Sequence, residues 1–340
     1  MEIKKIIEKA EQLRLKGYFK ESFQLWRKIY KTAIKNKDVT LSVDCLIVLA
    51  DLNRIMGNFK KAELLYNEVL EISDILYDRV AKADALTGLA ITKKATGQWK
   101  DALKIVRVAR NIYENLNDKK GIAFTLWTEG SVWRFGGRIK KSLQSFNQAL
   151  LQFKKLRDKQ SLGYVYCGLG GSSRVYGNHE DSMKYYKMAN EIFNKIGDRF
   201  GMAYSFCGIG NAYRMINDFK NAKENFTKAL NIYSKIGDIV SSSYTLWSMA
   251  MIYILRKQYK TALKYIKKAE KNFKKCNDPR GLIYCKLQRG MLHYLNKRKK
   301  MAIKYFNEAI HEAQNHDFAL EKKYAQGLLN GNYSLPYNIP

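Results

Sequence analysis

The chain has 340 residues and carries 61 Lys and Arg against 31 Asp and Glu, which gives a formal net charge of +30. Its content of 46% apolar and 13% aromatic residues is ample for a buried core and argues against a disordered chain. No run approaches the roughly 20 apolar residues that cross a bilayer, and the charged N-terminal stretch lacks the apolar region of a secretory signal, so we expect a cytoplasmic protein.

The cysteines indicate the redox compartment, and the net charge indicates the kind of partner. Five cysteines are an odd number and form no C-x-x-C pair, which predicts buried free thiols in a reducing compartment rather than disulfides or a zinc site. The positive charge predicts attraction to an acidic partner, whether protein, nucleic acid or anionic membrane. A general bias of the composition toward lysine is the alternative explanation.

The sequence repeats every 40 residues, and the period is clearest at a turn that recurs in all eight units. The turn residues follow one another without insertion or deletion: Gly17, Gly57, Gly97, Gly137, Gly177, Asn217, Lys257 and Lys297. Glycine or asparagine at such a site suits the left-handed conformation that ends a helix. Each unit is therefore predicted to have a first helix before the turn and a second helix after it.

The junction between units repeats as well. An aspartate stands before each first helix from the second unit to the eighth and can cap its free N–H groups: Asp38, Asp78, Asp118, Asp158, Asp198, Asp238 and Asp278. Small residues such as Gly130 and Gly210 recur in the first helix, and bulky residues such as Phe146 and Phe226 recur in the second. This alternation predicts ridge-into-groove packing of closely spaced helices.

The pattern resembles the tetratricopeptide repeat family, in the 40-residue variant of the LGN/Pins adaptors and kinesin light chains. The unit that matches best contains Asp198-Arg199-Phe200-Gly201, Gly210-Asn211-Ala212-Tyr213, Phe219, Ala222, Phe226 and Ala229-Leu230. The resemblance implies an all-α solenoid, coiled into a right-handed superhelix, with ligands on a concave groove made by the first helices.

Three segments follow from the period. We expect eight repeats in residues 1–318, a capping helix in 319–330 and an extended tail in 331–340, which is either disordered or docked on the groove or a partner. Repeats seven and eight, where lysine replaces the turn glycine, are expected to be atypical terminal units.

One stripe of each first helix lies away from the small-residue column and should line the groove. Near its C-terminal end, six consecutive units have a basic residue: Arg14, Arg54, Lys94, Arg134, Arg174 and Arg214. Arginine offers a planar fork to carboxylate or phosphate, so this cation column suits an extended anionic ligand. The alternative is a helix-dipole role, because a cation near a helix C-terminus gains about 0.3–1 kcal/mol.

An aromatic column accompanies the cations. It consists of Phe124, Tyr164, Tyr204, Tyr244 and Tyr284, with Trp127 and Trp247 one helical turn further on. Aromatic residues interleaved with arginines can grip apolar side chains or stack bases, and Asn211 joins them in the candidate groove. An aromatic stripe at helical spacing is more often core, here between repeats, with the hydroxyls reaching the groove.

One position departs from the packed face. Glu129 stands where neighbouring units have Leu89, Leu169 and Ile209, and a buried carboxylate needs a partner. Lys93 breaks the same face in the preceding unit, so we predict a Lys93–Glu129 structural pair across the repeat boundary.

The sequence carries no recognisable catalytic constellation. Its four histidines lack metal-ligand spacing, and neither a phosphate-binding glycine loop nor a nucleophile with an adjacent base can be found. We therefore expect a protein without catalytic residues, metal or cofactor. The leading hypothesis is an adaptor that binds an acidic or extended peptide segment of a partner protein, and the alternative is RNA or single-stranded DNA binding through the basic superhelix.

Overall fold

The computed structural model describes residues 2–331 as helices joined by short turns, with no strand in that range. The sequence-predicted tail lies outside the described residues from 332 onward. The helices are α1 (Glu2–Leu15), α2 (Phe19–Lys35), α3 (Val39–Ile55), α4 (Phe59–Ile75), α5 (Arg79–Ala95), α6 (Trp99–Asn115), α7 (Lys119–Phe135), α8 (Ile139–Lys155), α9 (Lys159–Tyr176), α10 (His179–Ile196), α11 (Arg199–Met215), α12 (Phe219–Ile236), α13 (Ile239–Leu255), α14 (Tyr259–Cys276), α15 (Pro279–Leu295), α16 (Lys299–Asn315) and α17 (Ala319–Leu329).

Aspartate caps open the first helices, as the sequence predicted. Each of the seven junction aspartates accepts a hydrogen bond of 2.8–3.0 Å from the backbone N–H three residues further on. Such a cap stabilises a helix by about 0.5–2 kcal/mol. The junctions therefore fix where each unit begins.

Inside a unit, the small residue of the first helix lies against the bulky residue of the second. A Cβ added to Gly130 would come within 2.9 Å of the Phe146 ring, and one added to Gly210 within 2.7 Å of the Phe226 ring. Glycine in a helix costs about 1 kcal/mol relative to alanine, so close packing of the two helices decides the residue here. The predicted all-α solenoid of paired helices is confirmed.

The solenoid coils tightly enough for its early units to pack on its last ones. Trp99 Nε1 donates a hydrogen bond of 3.2 Å to the carbonyl oxygen of Asp317, and Lys100 Nζ lies 2.7 Å from the Asp317 carboxylate. A single apolar cluster contains Trp99 and Val132 together with Phe318. Successive turns of the superhelix therefore share a core.

This contact between superhelical turns repeats in a constant register. Each of the first four turns meets the start of a first helix, or of α17, 182 or 183 residues later: Gly17 meets Arg199, Gly57 meets Val240, Gly97 meets Pro279 and Gly137 meets Ala319. Both partners advance by one unit together, so one superhelical turn takes about four and a half repeats.

The register explains why glycine occupies the first four turns. A Cβ at Gly57 would lie 2.8 Å from Cys276 Sγ and 3.0 Å from Val240 Cγ2, whereas nothing lies within 4 Å of the same position at Gly177. The later turns keep a positive φ without glycine, at Asn217, Lys257 and Lys297. A left-handed backbone alone tolerates other residues at a modest cost, but a turn covered by the next superhelical turn also has no room for a side chain.

Candidate functional site

All six members of the cation column lie in the last turn of a first helix, in α1, α3, α5, α7, α9 and α11. The charges that act on Lys94 come from three other helices, through Arg54 of α3, Arg134 of α7 and Arg280 of α15. The column therefore faces the interior of the superhelix, where helices distant in sequence meet.

The first two cations of the column are neutralised within their own helices. Arg14 Nη2 lies 2.7 Å from Glu11 Oε2, and Arg54 Nη2 lies 2.7 Å from Asp51 Oδ1. Tyr66 also donates a 2.7 Å hydrogen bond to Asp51. These ion pairs hold both guanidiniums in place and offset their charge.

The last two cations of the column are buried. The exposed fraction is 4% for Arg174 and 0% for Arg214. Arg214 Nε and Nη2 both donate to Asn211 Oδ1 at 3.3 Å, and the same oxygen accepts a 3.1 Å hydrogen bond from Ser248. Asn211, which the sequence assigned to the groove, therefore orients a buried guanidinium.

Lys94 and Arg134, in the middle of the column, are half-buried. Lys94 Nζ donates a 3.2 Å hydrogen bond to Ser131 Oγ and lies 5.0 Å from the centroid of the Phe135 ring. Burial, followed by the neighbouring guanidiniums, lowers the pKa of Lys94 to about 7. Neither Lys94 nor Arg134 forms an ion pair with any residue of the described range.

The tyrosines of the aromatic column connect one repeat to the next. Tyr164 donates a 2.7 Å hydrogen bond to Asp198 Oδ2, and Tyr244 donates a 2.9 Å hydrogen bond to Asp278 Oδ2. Burial raises the pKa of both hydroxyls well above the usual value. Their partners are the caps of the following first helices, so these hydroxyls reinforce the junctions between units. Tyr204 instead stacks on Phe200, with ring centroids 6.2 Å apart.

The two tryptophans make the same kind of inter-repeat link. Trp127 Nε1 donates to the carbonyl oxygen of Tyr164 at 3.2 Å, and Trp247 Nε1 donates to that of Tyr284 at 3.0 Å. Trp247 and Tyr284 have no exposed surface, whereas Trp127 is half-buried and stacks on Phe124, which is 39% exposed. Phe124, the one exposed member of the aromatic column, therefore lies in the fourth repeat, next to the half-buried Trp127.

The predicted Lys93–Glu129 pair is wrong. Glu129 binds two arginines of α6, with Arg107 Nε at 3.3 Å and Arg110 Nη2 closer still, and Lys93 Nζ lies 2.6 Å from Glu63 Oε1. The second helix of the preceding unit lies against this face and presents its own charges. The ion-pair partners of Lys93 and Glu129 therefore come from these second helices and not from the neighbouring first helix.

Sequence reasoning missed one buried ion pair. Arg280 Nε lies 2.6 Å from Glu321 Oε1 of α17, and the same oxygen accepts a hydrogen bond from Tyr284. The Arg280 guanidinium lies over the Phe135 ring, 4.2 Å from its centroid. Arg280 belongs neither to the cation column nor to a repeated position, so no pattern in the sequence marks it.

The described residues carry few signs of other chemistry. They contain no group of three or more metal-ligating side chains, and the five cysteines are free thiols, four of them buried. Among these helices, none is both long and apolar enough to cross a membrane.

Comparison with known proteins agrees with the repeat assignment. Profiles of the tetratricopeptide repeat match residues 49–115 and 203–236, whereas a search of curated protein sequences finds no match. The profiles identify tetratricopeptide repeats in these two segments.

Three solved structures share the fold. The Rap conjugation gene regulator of plasmid pLS20, in complex with the Phr* peptide, is 12% identical with a TM-score of 0.68, over 92% of this chain and 95% of that one. A Rap protein complexed with Competence and Sporulation Factor is 14% identical with a TM-score of 0.61, over 97% of both chains. One chain of the APC/C hetero-tetramer Cut9–Hcn1 is 14% identical with a TM-score of 0.66, over 97% of this chain and 55% of that one. The fold is thus a tetratricopeptide-like α-solenoid.

Proposed function

We propose that the protein is an interaction scaffold, with a binding rather than a catalytic role, that holds an extended acidic segment of a partner protein in its interior. The observation that carries this proposal is the cation column, which brings basic side chains of consecutive repeats onto one enclosed surface. A row of arginines at one repeat spacing suits carboxylates distributed along an extended chain.

Two of the similar structures support a peptide as the ligand class. One Rap protein is in complex with the Phr* peptide and the other with Competence and Sporulation Factor. Both align with this chain over more than nine-tenths of its length. At 12% and 14% identity the likeness concerns the fold, and the chemistry of the ligand is argued from this chain's own residues.

The accessible charges favour the third and fourth repeats as the centre of the site. Arg14 and Arg54 already have carboxylate partners in their own helices. Lys94 and Arg134 are half-buried and come from adjacent units, and Trp127 with Phe124 offers apolar surface on the same helix as Arg134. An acidic residue followed by an apolar one would meet both kinds of surface.

The test uses the full chain as bait in affinity purification, with and without nuclease, followed by anisotropy measurements on peptides that tile the captured proteins. We expect acidic peptides to bind at 150 mM salt and Arg134→Glu to weaken them at least tenfold. The control, Lys267→Glu with Lys271→Glu on the outer face of α14, should leave peptide affinity unchanged. Capture that disappears with nuclease, or peptides insensitive to Arg134→Glu, would refute the proposal.

The charge is reversed at Arg134 alone because the other candidate arginines are buried. The sequence alone suggests reversing Arg134, Arg174 and Arg214 together. Arg174 and Arg214 are buried, however, and a carboxylate placed there without a partner would destabilise the fold by several kcal/mol. Loss of binding in the triple variant would then report unfolding.

Nucleic-acid binding is a second candidate, and one observation favours it. Residues 256–304 contain 17 Lys and Arg against two Asp and Glu, which is half of the net charge of the chain. The lysines of α14 are exposed on the outer surface, among them Lys264, Lys267, Lys268, Lys271 and Lys275. Exposed lysines of this density suit a phosphate backbone.

Salt dependence separates the two candidates. Binding to a single-stranded oligonucleotide through α14 should collapse between 50 and 200 mM salt, because each phosphate contact releases counterions. It should also be lost in the Lys267→Glu, Lys271→Glu variant and kept in Arg134→Glu. The reverse pattern of sensitivity would exclude nucleic-acid binding through this surface.

A further inference from the structure

The cations of the column differ in whether they have an acidic partner in their own helix. The residue three positions before each cation decides this. That position holds Glu11 and Asp51 in the first two units, where it neutralises the arginine. In the third and fourth units it holds Ile91 and Ser131, which cannot balance a charge. Lys94 and Arg134 therefore enter the interior without a carboxylate from their own helices.

The groups around Lys94 do not supply a carboxylate either. Among the described residues, the charged groups that act on it are Arg54 on α3, Arg134 on α7 and Arg280 on α15, all of them cations. Lys94 Nζ and the Arg280 guanidinium lie on the same Phe135 ring, 5.0 and 4.2 Å from its centroid, and Lys94 Nζ also donates to Ser131, one helical turn before Arg134. Arg54 is balanced by Asp51, and Arg280 by Glu321 of α17. Among the described residues, Lys94 and Arg134 are thus the two basic groups of this cluster that have no carboxylate partner.

Hydrogen-bond donors without an acceptor also indicate an anion site here. Within the described residues, Arg134 Nε and Arg280 Nη2 are buried without a hydrogen-bond partner, and so is Glu321 Oε2, whose carboxylate already pairs with Arg280. A buried charged donor without an acceptor is costly, so native proteins pair nearly all of them. An oxygen atom of a ligand would supply the acceptor that Arg134 Nε lacks.

We propose that Lys94 and Arg134, with Arg280 behind them, form a binding site for one oxyanion group, the carboxylate of a bound acidic segment. That the carboxylate belongs to a partner protein rests on the proposed function. That the site binds an oxyanion rests on these three side chains alone. Arg134 offers the planar fork that grips two oxygens, and Lys94 offers a point charge beside it.

The same cluster makes binding consume a proton. With a pKa of about 7, Lys94 is about three-quarters neutral at pH 7.5. An anion placed next to it favours the ammonium form and raises the pKa, so the amine takes up a proton when the site fills. The cations that act on Lys94 are all arginines, a side chain that keeps its charge at the pH of any binding experiment. Lys94 is therefore the group that titrates.

Calorimetry on the full chain tests the site directly. The probe is acetyl-tetra-aspartate amide, titrated at pH 7.5 in HEPES and in Tris, whose different ionisation enthalpies reveal protons taken up. We expect uptake of about half a proton or more per peptide bound. Lys94→Arg should bind with no uptake, because arginine is charged beforehand. Arg134→Gln should weaken binding at least tenfold, while Arg79→Gln, an exposed arginine on α5, should change nothing.

The second arm titrates inorganic phosphate under the same conditions. Phosphate binding with proton uptake that is absent in Lys94→Arg supports the oxyanion site. If no acidic peptide binds in that case, the proposed function fails and the site stands. Peptide binding with equal uptake in wild type and Lys94→Arg overturns the site and leaves the proposed function intact. Failure of both probes to bind also overturns the site.

Discussion

The contact between superhelical turns can be tested by adding one methyl group. Gly57 and Gly177 both have a left-handed backbone, with φ of +81° and +99°. Alanine at either position costs about 1 kcal/mol in backbone strain. At Gly57 the new Cβ would also lie 2.8 Å from Cys276 Sγ and 3.0 Å from Val240, and such overpacking costs about 1–3 kcal/mol more. At Gly177 the space is open.

We therefore expect Gly57→Ala to lower the free energy of unfolding by about 2–4 kcal/mol and Gly177→Ala by about 1 kcal/mol. Urea titration followed by circular dichroism measures both, and small-angle scattering should give a larger radius of gyration for the first variant only. Equal destabilisation with unchanged radii would mean that the early units do not pack on the late ones in solution.

Three further predictions concern buried polar groups. Arg110→Met should cost about 3 kcal/mol in urea titration, since it leaves the buried Glu129 carboxylate poorly paired, while Arg107→Met, whose side chain is 57% exposed, should cost under about 1; equal costs would contradict the assignment. Tyr164→Phe, which removes the bond to a junction aspartate, should lower the free energy of unfolding by about 1–2 kcal/mol, and no loss would refute that role. Burial raises the pKa of Asp238 to about 6, so the folded state holds this proton more tightly than the unfolded chain. Stability should then fall by up to about 3 kcal/mol as pH rises from about 4 to 6, and in Asp238→Asn this part of the curve should flatten, because asparagine carries no charge; an unchanged slope would contradict it.

The amino-acid sequence is enough to define the repeating unit. Helix caps at aspartates such as Asp198 and contacts such as Gly210 against Phe226 join residues within about 30 positions of one another. Each therefore recurs with the 40-residue period and can be read from it. Even the difference within the cation column was visible, since Glu11 and Asp51 stand three residues before their arginines. This i, i+3 pairing marks two cations as already neutralised.

Which residues meet in the interior depends on how the repeats coil in three dimensions. The superhelix completes one turn because small rotations between successive units add up over about four and a half repeats. The total rotation cannot be read from the sequence of any one unit. Closure brings Asp317 to Trp99 and Arg280 over Phe135, pairs too far apart in the chain to leave a periodic signal. Arg214 is buried and Lys94 is half-buried, although both occupy the same position of the repeat. Residues alike in sequence thus differ in role because their tertiary neighbours differ: Asn211 bonds Arg214, whereas guanidiniums of three other helices act on Lys94.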